Sequence, residues 1–129
     1  MGWTDLPNTS GTTQVITKTL LSGSTNGKGI LVVATATPGT TIHTAVAGTS
    51  SYDEIWLYAT NTSASAVVLN IEWGEAGSSP STNTVITIPA KAGRFLVCDG
   101  RLLQNGLVVT AFAGTTNVIV VDGFVNNYT

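Results

Sequence analysis

Few side chains in this chain can move a proton or hold a metal ion. His43 is the single histidine and Cys98 the single cysteine among 129 residues. An imidazole works as a base or a ligand only with partners, and no second histidine or cysteine completes a ligand set, so His43 is expected to be a structural residue on a strand. Cys98 has no cysteine to pair with and ends the apolar run Phe95-Leu96-Val97-Cys98, the setting of a small buried hydrophobe. The carboxylates fall into two groups. Asp53 and Glu54 are adjacent, and neighbours on a strand point to opposite faces, so they cannot flank one bond. Glu72 and Glu75 stand where an apolar run gives way to a loop; they are expected to be solvated strand ends, with a weak calcium site as the alternative. Residues 22–29 (SGSTNGKG) look superficially like a phosphate-cradling loop. The spacing is one residue short, Gly29 stands where a metal-binding Ser or Thr belongs, and a strand pattern follows where a helix should. No Gly-x-Ser-x-Gly elbow occurs. An enzyme is not expected, and neither is a cofactor or a metal.

Composition narrows the class further. Hydrophobic residues make up 43% and charged residues only 9%, while Ser and Thr supply roughly a quarter of the chain. Soluble domains usually carry about 25% charged residues. Hydroxyls replacing charge suggest a protein that lives in an assembly, where repulsion between freely diffusing molecules is not needed. The net charge of -2 and the scatter of Lys18, Lys28, Lys91, Arg94 and Arg101 oppose nucleic-acid binding, which needs clustered cations. No apolar run approaches the ~20 residues of a membrane span, and the N-terminus lacks the basic-then-apolar pattern of a secretory signal. The Asn-x-Ser/Thr triplets at Asn8, Asn61 and Asn127 are accordingly discounted as glycosylation sites.

The elements that must position these residues read as strands throughout. In DEIWLYATNTSASAVVLNIEW (53–73), Ile55, Leu57 and Ala59 fall on one face and Trp56 and Tyr58 on the other; Val67, Leu69 and Ile71 alternate likewise after a polar break at 61–65. These two runs are expected to form the central hairpin, one face in the core and the other against a second protein surface. Further strands are expected at 14–20, 30–36, 41–47, 84–88, 94–98, 107–113 and 117–125, with turns at Pro38-Gly39, 89–93 and Asp99-Gly100 and a long exposed loop at 74–83. The result is an all-β chain of about eight strands, an antiparallel β-sandwich of jelly-roll type over 14–129. Segments 44–49 (TAVAGT) and 110–115 (TAFAGT) echo each other, as two Greek keys or two similar hairpin turns would. Residues 1–13 lack periodicity and are expected to form an extended N-terminal arm carrying Trp3, Leu6 and Pro7, whose apolar groups either fold back onto the domain or dock on a neighbour.

Four stretches carry a family resemblance: YDEIWLYATN at 52–61, IPAKAG at 88–93, LQNGL at 103–107 and NVIVVDGFVN at 117–126. Together they resemble the small head decoration, or cement, proteins of tailed double-stranded DNA bacteriophages, over roughly residues 40–126. The resemblance implies a homotrimer on the outer capsid surface, made in the host cytoplasm, seated at local threefold positions on the major capsid protein and bracing the shell. On that reading Trp56, Tyr58 and Phe124 form the subunit interface, while Trp3, Leu6 and Pro7 of the arm contact the capsid. Trp and Tyr are the side chains that most often carry interface energy. Two rivals share the composition: a phage tail or fibre domain, and a carbohydrate-binding module presenting Trp56, Tyr58 and Trp73 as an aromatic row.

Overall fold

The computed structural model describes residues 14–76 and 83–129, and the arm residues Trp3, Leu6 and Pro7 lie outside them. Nine strands follow in order: β1 (Ile16–Thr19), β2 (Ile30–Leu31), β3 (Thr40–Thr44), β4 (Tyr52–Asn61), β5 (Val67–Trp73), β6 (Asn83–Ile88), β7 (Phe95–Leu103), β8 (Val108–Ala113) and β9 (Ile119–Tyr128). Sheet A has the order β1-β9-β4-β7, with β2 also on β9, and sheet B the order β3-β8-β5-β6. All pairs are antiparallel. β1 and β2 flank the same edge of β9 and act as one position. The first position then pairs with the last, β3 with β8, β4 with β7, and β5 with β6 innermost. Those nested pairs, folded over into two layers, are a jelly roll. Among the described residues there is no helix, and so none long and apolar enough to cross a membrane.

The core lies between the sheets and is built by alternation. Asp53, Ile55, Leu57, Ala59 and Asn61 of β4 are buried, whereas Tyr52, Glu54, Trp56, Tyr58 and Thr60 are half-exposed. Val67, Leu69 and Ile71 of β5, Val109, Ala111 and Ala113 of β8, and Ile119, Val121 and Val125 of β9 close the layer from their own strands. β-branched and Leu side chains at every second position fill such a pleated interior.

Five expectations are corrected. β4 and β5 do not form a hairpin: β4 belongs to sheet A and β5 to sheet B. The polar break turns the chain from one layer to the other, held by Asn61, whose side chain donates to Ser65 O and Ile88 O. The apolar run 30–36 is a strand only over its first two residues. Beyond them Val32 N donates to Ile119 O, and Ala34 O accepts from Ala113 N, so the segment passes from β9 to β8 at the corner of the sandwich. Asp99-Gly100 is not a turn but lies inside β7, where the register slips by a bulge and Gly100 takes φ 88°. Glu72 is not a solvated strand end; it is fully buried. Finally, the echoed segments are not equivalent, since 110–113 is strand while most of 44–49 is loop.

Candidate functional site

The buried polar groups come first, because any reaction centre would draw on them. Ser22 N–H donates to His43 Nδ1 at 3.0 Å, which makes that nitrogen an acceptor and leaves the proton on Nε2, 2.7 Å from Asp53 Oδ2. The carboxylate also accepts from Val46 N–H at 3.1 Å and from Asn127 Nδ2 at 2.7 Å. Both ring nitrogens are therefore committed, and the Ser22 hydroxyl is engaged by Thr44 N–H instead of by the ring. A nucleophile and base need a hydrogen bond between them, and that bond is missing from this group. His43 instead ties the β1–β2 connection and β3 to β4, the structural role expected of it.

Glu72 does comparable work on sheet B. It faces outward from β5, yet the Thr37-Pro38-Gly39 turn folds over it. Its carboxylate accepts from Thr37 Oγ1 at 2.5 Å, Gly39 N–H at 2.7 Å and Thr110 Oγ1 at 2.5 Å. Gly39 permits the approach, since a Cβ there would stand 2.5 Å from the Ala111 backbone. Cys98 is buried in β7, where its thiol donates to Ile55 O, and burial pushes its pKa up. Among the described residues no three His, Cys, Asp or Glu side chains are grouped to hold a metal ion.

The outward face of sheet A is different in kind. Register sets Tyr52 opposite Tyr128, Glu54 opposite Asn126, Trp56 opposite Phe124, and Tyr58 opposite Asp122. The Trp56 and Phe124 rings lie nearly parallel, 9° apart with centroids at 6.0 Å, and those of Tyr52 and Tyr128 are 14° apart at 5.0 Å. Lys18 of β1 caps Phe124 at 4.6 Å, and Arg94 caps Tyr58 at 4.0 Å while reaching Asp122 at 3.1 Å. The three residues expected at a subunit interface, Trp56, Tyr58 and Phe124, thus share one surface. Tyr52, Tyr128 and Lys18 extend it beyond the residues the sequence reading names, although a step of four, two strand periods, from Trp56 and from Phe124 leads to both tyrosines.

Glu54 sits among these rings. Asn126 Nδ2 donates to it at 2.9 Å, Trp56 Nε1 at 3.0 Å and the Tyr128 hydroxyl at 3.4 Å. The Asn126 bond, followed by that from Trp56, holds the carboxyl below its ordinary pKa. Tyr128 is pushed the other way, by desolvation first and then by the Glu54 charge.

Trp73 does not join this surface. It lies at the end of β5 in the other sheet, against the core, with the Arg101 guanidinium 4.2 Å from its ring. Trp56, Tyr58 and Trp73 therefore form no common row on which a sugar chain could stack. Three of the five basic residues, Lys18, Arg94 and Arg101, each cap a separate aromatic ring, and those rings stand on both sheets, which is not the clustered cation pattern of a phosphate-binding groove. An open cleft of about 430 Å³ at one end of the sandwich is lined by Tyr52, Leu102, Leu103 and Leu107 with Thr49, Gln104 and Asn105. It continues the apolar character of sheet A around its rim. Comparison with family models, with curated proteins and with solved structures finds no match.

Proposed function

We propose that this chain is a structural protein of a tailed-phage virion. It binds the outer surface of the capsid as a homotrimer at local threefold positions and stabilises the shell. Its partners are the major capsid protein and two sister copies. The observation that carries this reading is the outward face of sheet A: five aromatic rings along β4 and β9, half-exposed and flanked by exposed leucines. Monomers seldom leave a patch of that kind facing water unless something binds there. The buried His43-Asp53 and Glu72 groups support the same reading, because each is occupied in joining strands. The resemblance of 52–61, 88–93, 103–107 and 117–126 to head decoration proteins supplies the capsid as the partner, and with it the assignment of Trp3, Leu6 and Pro7 to capsid contact.

The test is to add purified protein to capsids that lack it. Attachment in a fixed ratio to capsid subunits, with a rise in the temperature at which the shells release DNA, is the expected result. Protein that stays in the supernatant at all concentrations would refute the reading.

A further inference from the structure

One row across the outward face of sheet A holds three residues whose chemistry a contact surface does not use. Lys18 of β1 stands opposite Asn126 of β9, and Asn126 stands opposite Glu54 of β4. Opposed residues of an antiparallel pair hold their Cβ atoms about 4.5 to 5.5 Å apart, a gap that the flexible stem of a lysine spans. Among the described residues Lys18 is the only lysine on a strand, and it makes no ion pair. Its ammonium rests 4.6 Å from the centroid of the Phe124 ring, one outward step along β9 from Asn126. Asn126 Nδ2 donates to Glu54 Oε1 at 2.9 Å, so the carboxylate touches the atom that an amide must release when an amine displaces it. Glu54 Oε2 has a single long bond among the described residues, 3.4 Å from the Tyr128 hydroxyl, and is open to a proton.

We propose that Lys18 and Asn126 condense within the folded chain into an isopeptide bond, with Glu54 carrying the protons. This goes beyond the function proposed above and stands without it. The Lys18 ammonium swings from the Phe124 ring toward Asn126 and gives one proton to the Glu54 carboxylate. The neutral amine attacks Asn126 Cγ and forms the Nζ–Cγ bond. The Glu54 carboxyl then passes its proton to Nδ2 and takes one from the attacking nitrogen. The Cγ–Nδ2 bond breaks, and ammonia leaves with that last proton as ammonium. One ammonium and one amide are thus exchanged for another amide and free ammonium, with Glu54 again a carboxylate, so no oxidant or second reactant is needed.

The same strands contain a second amide–carboxylate pair that shows what the lysine adds. Asn127 Nδ2 donates to the buried Asp53 Oδ1 at 2.7 Å, but the residue opposite Asn127 on β1 is Thr17. That pair has no amine and can only hold strands together. At Glu54 the register supplies the amine, and the Trp56 Nε1 bond at 3.0 Å fixes the carboxylate between the rings of Trp56 and Tyr128. Holding amine, amide and proton carrier in one row replaces a bimolecular encounter by an internal one, which is where amide exchange gains most. The gain to the fold is clear from β1, four residues long, exposed along its whole length and paired only to β9. A bond from residue 18 to residue 126 would tie the first strand to the last, and closing a loop of nearly the whole chain restricts the unfolded state strongly.

The experiment is mass spectrometry of the purified protein after days in neutral buffer, intact and after denaturation and trypsin digestion, beside Lys18→Arg and Glu54→Gln. The native chain is expected to weigh less than its sequence by one ammonia, to resist cleavage after Lys18, and to give a branched peptide joining residues 1–28 to residues 102–129. Both variants are expected to keep their full mass and to give the second peptide unbranched. A native chain of full mass, with free peptides 1–18 and 102–129, would overturn the proposal. So would an ammonia loss that persists in Lys18→Arg, which would assign it to ring closure at Asn26-Gly27 or Asn105-Gly106, and a branched peptide formed as fully in Glu54→Gln would overturn the role of the carboxylate.

Discussion

The outer faces of the two sheets are built from similar strands and do opposite things. On sheet B, Glu72 and Thr110 face outward at 0% and 7% exposure because the 37–39 turn covers them and their hydrogen bonds are completed inside the chain. On sheet A the same layer position is occupied by Tyr52, Trp56, Tyr58, Phe124 and Tyr128, rings that lean on each other and on Lys18 and Arg94 but stay half-exposed. A polar group that has lost water must find its partners within the fold, and sheet B shows that done. An apolar face has no such obligation and can wait for another protein. On the proposed reading, the difference separates the part of the surface that holds this chain together from the part that holds chains to each other.

Substitutions that separate folding from association test this comparison. Glu72→Ala is expected to have the largest effect, since it strands the Thr37 and Thr110 hydroxyls and the Gly39 N–H; unfolding in denaturant should report a loss of about 4 kcal/mol, with association of the folded fraction unchanged. Trp56→Ala should do the reverse. It should weaken self-association by about 2 kcal/mol, roughly thirtyfold, in sedimentation equilibrium, while the core alternation of β4 keeps the monomer folded. Glu54 sharpens the contrast through pH. Its folded pKa is lowered, so its contribution is present above the ordinary value of 4.5 and is lost as pH falls through the folded value. Stability of the native protein should therefore drop on acidification below 4.5 more steeply than that of Glu54→Gln. The smallest effect belongs to the Arg94-Asp122 pair, whose side chains are 56% and 38% exposed. Asp122→Asn should change stability by about 0.5 kcal/mol or less in the same denaturant titration.

Much of the fold could be read from side-chain period alone. The alternation Ile55, Leu57, Ala59 against Trp56 and Tyr58 placed one face of β4 in the core and the other outside, and it separated Asp53 from Glu54 correctly. Period says nothing of partners, however. The 61–65 break looks the same whether the chain folds back within a sheet or crosses to the other, and only the long-range registers of β4 with β9 and β5 with β8 decide it. The full length of β7 is hidden in the sequence because Asp99-Gly100 has turn chemistry that a bulge shares. The burial of Glu72 is not legible locally, because its cover comes from Thr37 and Gly39, more than thirty residues away. The aromatic face was legible in Trp56, Tyr58 and Phe124, but its closure by Tyr52 and Tyr128 depends on register.

The central claim is that the aromatic face of sheet A is a contact between proteins. Sedimentation equilibrium of the purified chain at micromolar concentration tests it most directly, run beside Trp56→Ala and Glu72→Gln. The expected result is the mass of three chains for the native protein and for Glu72→Gln, shifting toward one chain for Trp56→Ala. A native protein that sediments as a single chain throughout that range, with its rings left in water, would contradict the account.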